Sequence, residues 1–397
     1  MSATEEVPEF LTPSLKLFLS VDLIGSTKLK HDEDVLNGQS ASASSLDGVG
    51  AKWFNSLIDF YGEFELTFLE KWTSTFLDDS IVEEHWKETT SPSLWKINGD
   101  ELIYVHNVRH PGEVVVALIA WREAVFSYRS SLKEKRSNLD LKATAWMAGF
   151  PIGNHEVAFW SDLSSTATKS EEPSGKTGQY YRLRKWYEDQ SNARKSDYIK
   201  DYIGPAVDTG FRLAQFASAR RFPVSIEIAY FLSKLTMNSS ANKALRLRYL
   251  GREAMKGVLG GTPYPIFWLD CMSPNDELSK AEDELRPQSD PCSQDVVASY
   301  VEKFFADAKN KLFPPFIYQC EEKKFSTPPG NYMKLLEHIA SIWSKEIRKH
   351  EIEIASEMGD GPEGSTPPTK AGADQIQALN AKPIEEKSET PENPKEK

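Results

Sequence analysis

Asn98-Gly99 limits the possible folds of this chain more than any other feature. An Asn-Gly pair takes positive φ at both central positions of a two-residue turn whose twist matches paired strands. The apolar runs on either side, residues 94–97 and 102–106, therefore form a hairpin, and Asp100 sits at its tip. A second fixed point is the run 15–22, where Leu17, Leu19 and Val21 alternate with Lys16, Phe18 and Ser20 as in a half-buried strand. It ends in Asp22-Leu23-Ile24-Gly25-Ser26-Thr27. Glycine relaxes that turn and Ser and Thr cap well, so a short helix follows. Each strand end thus delivers an aspartate beside a glycine.

The remaining pattern interleaves strands with helices. Residues 31–50 are polar and read as a loop, whereas 51–76 has helical spacing through Trp53, Leu57, Phe60, Phe64, Phe68 and Trp72. Pro111 suits a first helical position, and 115–128 follows as a buried helix. A strand is expected at 141–148, then a polar insertion at 158–200 with helix around 180–189. Beyond it come a helix at 203–219, regular segments at 226–235 and 245–250, the turn Lys256-Gly257-Val258-Leu259-Gly260-Gly261, and a strand at 264–269. An α+β fold results, an antiparallel sheet layered with helices. Two amphipathic helices, 294–312 and 332–354, form a helical C-terminal extension. The segment after 359 is rich in Pro, Glu, Lys and Ser and should be disordered. The expected division is an N-terminal segment 1–13, a main domain 14–270, the extension 271–356 and a tail 357–397.

Composition narrows the function classes. Of 397 residues, 40% are hydrophobic and 27% charged, as in a globular protein with a sizeable core. The net charge of −12 argues against a nucleic-acid binder held by phosphate neutralisation, though not against a small nucleotide. No apolar run approaches the roughly 20 residues that cross a bilayer, so no membrane contact and a cytoplasmic location are expected. Three widely spaced cysteines support neither a disulfide framework nor a zinc site. His106 and His110 have metal-like spacing, but Pro111 breaks the helical face and they read as solvated loop histidines.

Asp22 and Asp100 offer hard oxygen ligands from neighbouring strand ends, a set suited to two divalent cations. The amides of Ile24, Gly25, Ser26 and Thr27 can cradle phosphates at a helix start. The competing reading gives each aspartate a turn or capping role.

Taken in order, the motifs resemble those of the class III nucleotidyl cyclases, the adenylate and guanylate cyclase superfamily, over residues 14 to 270. Phe18, Asp22, Gly25, Ser26, Thr27 and Leu29 follow that family's first signature, with the phenylalanine one place further back. Lys96, Gly99 and Asp100 match its hairpin signature. Asp201, Gly204, Val207 and Arg212 match its third, in which Asp208 replaces an asparagine; Lys256-Gly257 resembles a late turn. The long Asp22-to-Asp100 separation, the 158–200 insertion and the helical extension are similar to the pyrimidine (uridylate/cytidylate) cyclases of Pycsar anti-phage defence.

The resemblance implies a ferredoxin-like cyclase catalytic domain in which the ribose 3′-OH attacks the α-phosphate of a nucleoside triphosphate and expels pyrophosphate. Asp22, Asp100 and the Leu23 carbonyl would hold two Mg²⁺ or Mn²⁺ per active site. Arg212 would neutralise the α-phosphate, Asp208 would accept from a sugar hydroxyl or pair with Arg212, and Lys256 would contact the triphosphate. Lys96 and Asp201 would read the base. Lysine only donates and aspartate only accepts, a pair that adenine, uracil and cytosine all satisfy; guanine is disfavoured because the family uses Glu at the Lys96 position. Phe54 is the candidate for narrowing the pocket toward a pyrimidine. The family builds each site between two domains, so a homodimer with composite sites is expected. A downstream effector would read the cyclic nucleotide without touching the enzyme. The alternatives are an adenylate cyclase making cAMP and a degenerate cyclase domain acting as a nucleotide-binding module.

Overall fold

The computed structural model describes residues 9–30, 52–78, 90–135, 138–162, 172, 175–237, 239–272, 276–285, 291–309 and 311–357. The loop expected at 31–50 and the tail expected beyond 357 lie outside them. After a single 3-10 turn at Glu9–Leu11, the chain runs β1 (Ser14–Ile24), α1 (Ser26–Lys30), α2 (Lys52–Phe76), β2 (Ser93–Asn98), β3 (Glu101–Val108), α3 (Pro111–Lys135), β4 (Asp140–Phe150) and β5 (His155–Trp160). It continues through α4 (Gly175–Ser191), β6 (Tyr198–Ile203), α5 (Pro205–Leu213), β7 (Arg221–Val224), α6 (Ile226–Lys234), α7 (Ser239–Ala244), β8 (Arg248–Glu253) and β9 (Tyr264–Asp270). The last helices are α8 (Glu277–Leu285), α9 (Gln294–Asp307), α10 (Lys323–Ser326) and α11 (Tyr332–Glu357).

Seven strands form one sheet in the order β2-β3-β1-β4-β7-β9-β8, and β5 pairs with β6 in a second. Every pairing described in the large sheet is antiparallel except β4 with β7, which meet in parallel at Ala145 and Val224. This is the α+β architecture expected, a largely antiparallel sheet layered with helices.

The alternation along β1 divides the sheet's two faces. Leu17, Leu19 and Val21 enter a large core with Phe60, Phe64 and Phe68 of α2, Trp121 of α3, Phe231 of α6 and Phe304 of α9. Phe18 points to the other face. There it stacks on Trp146 at 5.3 Å and meets the edges of Trp95 and Tyr202 at 5.2 and 5.3 Å. Burial of such rings is a large stabilising term, because each removes roughly 150–250 Å² from water.

Two compact units emerge, residues 13–159 with 199–330, and residues 1–12 with 160–198 and 331–397. The first contains the large sheet and is fastened by Arg129. Its buried guanidinium donates to Asp140 Oδ1 and to the carbonyls of Cys271, Leu141 and Ala219. In the second unit Phe10 stacks on Tyr180 of α4 at 5.9 Å and meets the edge of Trp343 of α11 at 5.8 Å.

Two expectations need correction. The helix expected at 203–219 starts at Pro205, because Ile203 closes β6 and Gly204 turns the chain with φ 138°. Asn154 makes the start specific: its Oδ1 accepts from the Ala206 N–H at 3.0 Å, and a Cβ on Gly204 would lie 2.6 Å from that oxygen. His106 is no solvated loop residue either. It lies buried on β3, with its Nε2 2.9 Å from Glu113 Oε2.

Candidate active site

The β1 and β3 register brings the two acidic turns together. Asp22 is paired with Glu101, and the Leu23 N–H donates to the Asp100 carbonyl at 3.1 Å. The fold therefore sets Asp100, at the hairpin tip, beside the end of β1. Ser26, the first residue of α1, is buried and donates its hydroxyl to Asp100 Oδ2. Gly25 makes that approach possible. Its φ is +92°, and a Cβ there would lie 2.9 Å from the Asn138 carbonyl oxygen. Ile24 is half-buried and Thr27 exposed, so this turn lies at the site's rim.

Each carboxylate faces an ammonium group. Lys142, opposite Asp22 on β4, places Nζ 2.8 Å from Asp22 Oδ2, and Lys30 Nζ lies 3.9 Å from Asp100 Oδ1. The hairpin tip is also clamped from α2, where the Tyr61 hydroxyl donates to the Gly99 carbonyl. Burial, reinforced by the Asp100 charge, raises the Tyr61 pKa and keeps that donor protonated. Sequence reasoning missed Tyr61 and Lys142, since strand pairing and helix packing alone bring them here. Among the described residues no group of three or more His, Cys, Asp and Glu is placed to hold a metal. A cation site would therefore rest on the two aspartates, a backbone carbonyl and oxygens of a ligand. All of these are hard donors that suit Mg²⁺ or Mn²⁺.

The other half of the expected site is assembled on β2 and β6. Lys96 Nζ lies 3.1 and 3.0 Å from the two carboxylate oxygens of Asp201. Asp201 Oδ1 also accepts from the Trp95 indole N–H at 3.0 Å and from the Tyr202 N–H at 2.9 Å. A buried charge chain anchors β6 nearby: Glu156 lies 3.1 Å from Lys16 and 3.6 Å from Lys200.

Asp208 and Arg212 stand exposed on α5, one turn apart, with no ion pair between them among the described residues. The α5 helix rests on the Phe18 face through Gly210, where a Cβ would lie 2.1 Å from Trp146. Lys256 is exposed in the turn after β8, beside Gly257 at φ +79°. Phe54 sits exposed on α2, its ring edge-on to Trp53 at 5.9 Å. Within one chain, then, the structure joins Asp22 with Asp100 and Lys96 with Asp201. No contact among the described residues joins Arg212, Asp208, Lys256 or Phe54 to either pair.

No family model and no curated protein matches the chain. Among solved structures, the adenylyl cyclase CyaB from P. aeruginosa is similar at 13% identity, over 67% of this chain and 97% of that one, with a TM-score of 0.39. The guanylyl cyclase Cya2 is similar at 9% identity, over 67% of this chain and 95% of that one, TM-score 0.35. The guanylate cyclase domain of RhGC from Catenaria anguillulae, in complex with GTP, is similar at 11%, over 64% and 95%, TM-score 0.35. At these scores the likeness carries no conclusion about substrate or chemistry. No helix among the described residues is long and apolar enough to cross a membrane.

Proposed function

We propose that the chain is a nucleotidyl cyclase of the class III type. It would convert a pyrimidine nucleoside triphosphate, UTP ahead of CTP, to the 3′,5′-cyclic monophosphate and pyrophosphate. The product would be an intracellular second messenger in antiviral defence. The observation that carries the reading is the tie between the two acidic turns, from the Leu23 N–H to the Asp100 carbonyl. It sets two carboxylates side by side next to the Gly25-Ser26-Thr27 turn.

In the proposed reaction the ribose 3′-oxygen forms a bond to the α-phosphorus, the bond to the pyrophosphate oxygen breaks, and the 3′-hydroxyl proton passes to water. Two Mg²⁺ or Mn²⁺ ions, when bound, supply Lewis acidity and neutralise phosphate charge. Asp22, Asp100 and the Leu23 carbonyl would hold them. The amides of residues 24–27 would bind the terminal phosphates, with Lys256 as a further contact. Arg212 would oppose charge developing at the α-phosphate, and Asp208 would hold a sugar hydroxyl. Lys96 and Asp201 would bind the base edge, with Phe54 limiting the pocket.

A homodimer with two composite sites accounts for the exposure of Asp208, Arg212 and Lys256 away from the acidic pair of their own chain. Adenylate cyclase is the competing reading, because adenine also offers the Lys96–Asp201 pair an acceptor and a donor. Incubating the purified protein with each of the four nucleoside triphosphates and Mn²⁺, with products identified by mass spectrometry, decides between them. Cyclic UMP or cyclic CMP is the expected product. Cyclic AMP alone would establish the adenylate reading, and the absence of any cyclic product would leave a nucleotide-binding module.

A further inference from the structure

Asp201 is held more firmly than a base-reading carboxylate requires. Oδ1 accepts three hydrogen bonds, from the Trp95 indole at 3.0 Å, Lys96 Nζ at 3.1 Å and the Tyr202 N–H at 2.9 Å. Oδ2 accepts only from Lys96 Nζ, at 3.0 Å, among the described contacts. An ionised carboxylate oxygen offers about two lone-pair sites, so Oδ1 is saturated and Oδ2 has room for one more donor. The Lys96 ammonium has three N–H groups, and its contacts with Asp201 engage two of them. One donor and one acceptor are left to face a ligand.

Trp95 cannot readily move from this arrangement. Its ring packs against Phe18 at 5.2 Å, Tyr202 at 5.1 Å and Phe211 at 6.0 Å, and Lys96 Nζ lies over it at 4.8 Å. The same side chain therefore fixes the carboxylate through its N–H and supports the ammonium on its ring face. Without the indole N–H the Asp201 carboxylate could rotate and present either oxygen, or both, to a base.

We infer that Trp95 is a positioning residue for base discrimination: it restricts Asp201 to accepting from the base through Oδ2 alone. With donor and acceptor both fixed, the pair fits only one order of groups along the base edge: adenine and cytosine set an exocyclic donor beside a ring acceptor, uracil and guanine the reverse, and the wrong order leaves a polar group unpaired. Unpaired buried groups are what make such discrimination large. This inference rests on the cyclase reading of the same site.

The test uses the full-length protein with Mn²⁺ and the non-cyclisable α,β-methylene analogues of ATP, CTP, GTP and UTP. Dissociation constants are measured for the wild type, W95F, D201A and the double variant. In W95F the ratio between the best base and the better of the two bases with the opposite order should fall about tenfold, the scale of a lost hydrogen bond to a charged group. The kcat for the preferred triphosphate should change far less than its KM. In D201A, which has already lost the discrimination, adding W95F should change the ratio no further.

An unchanged ratio in W95F, or an equal fall in both backgrounds, would overturn the role given to Trp95. Failure of the wild type to bind any analogue would instead remove the cyclase reading along with it. Should W95F not fold, D201A carries the test in ¹⁵N-indole spectra. One indole N–H resonance should move upfield and exchange faster with solvent; spectra unchanged from wild type would overturn the inference.

Discussion

In the proposed reaction Asp22 would be essential to turnover, yet it is nearly dispensable to the fold. Its ion pair with Lys142 is part-exposed, with side chains at 27% and 32% accessibility. Pairs of that kind contribute about 0–1 kcal/mol. D22A should therefore melt within a few degrees of the wild type while cyclic-nucleotide formation falls by at least about 10²-fold, the scale of losing one transition-state electrostatic contact. Retention of turnover would refute the metal role. The sequence alone singled out Asp22 and Asp100 as candidates, because each stands beside a glycine at the end of an apolar run, and the fold brings their turns together. The sequence could not identify Lys142, Tyr61 or Trp95. Their roles arise from the β1–β4 register, the packing of α2 and the meeting of β2 with β6, and none of these leaves a local pattern.

At the scale of elements, the best-marked pieces were those with a strong internal signal. The hairpin at Asn98-Gly99, the alternating β1 and the Pro111-initiated α3 all form, but the hairpin's two-residue turn is Gly99-Asp100: Asn98 ends β2 opposite Glu101, and of the Asn-Gly pair only Gly99 takes positive φ. The short β7 was not anticipated. It has four residues and a single parallel bridge to β4, too few to show a period. The helix expected from 203 starts only at Pro205, because Gly204, at φ 138°, turns the chain out of β6 and Pro205 suits the first helical position. That helix depends on contact with the sheet. Trp146 is held between Phe18 and Phe211 and has little room to yield to a Cβ at 2.1 Å. G210A should therefore cost about 3 kcal/mol, at the upper end of overpacking penalties. A fall of several degrees in Tm would register it, and turnover should drop as well because Arg212 travels with α5. A Tm equal to the wild type would show that α5 is free to shift.

For the whole molecule, the question is whether a site can be completed from one chain. Asp22 meets Asp100 and Lys96 meets Asp201 within one chain, whereas Arg212 and Lys256 stand exposed. If the sites are composite, D22A and R212A homodimers are each inactive, yet their heterodimer has one intact site of its two. Mixing them in equal amounts with free exchange should restore about a quarter of wild-type turnover, since half the dimers are then mixed. No recovery, with subunit exchange verified, would place the complete site within one chain.

The β2–β3 hairpin has a last consequence in such a dimer. Lys96 lies within β2, opposite Ile103, and Asp100 in the turn itself, four residues apart on one ribbon whose tip Tyr61 clamps. If Asp100 serves the site of its own chain and Lys96 that of the partner, a nucleotide gripped at one catalytic centre pulls on a ribbon that also forms the other. The two centres would then be mechanically linked, and filling the first would bias the affinity of the second.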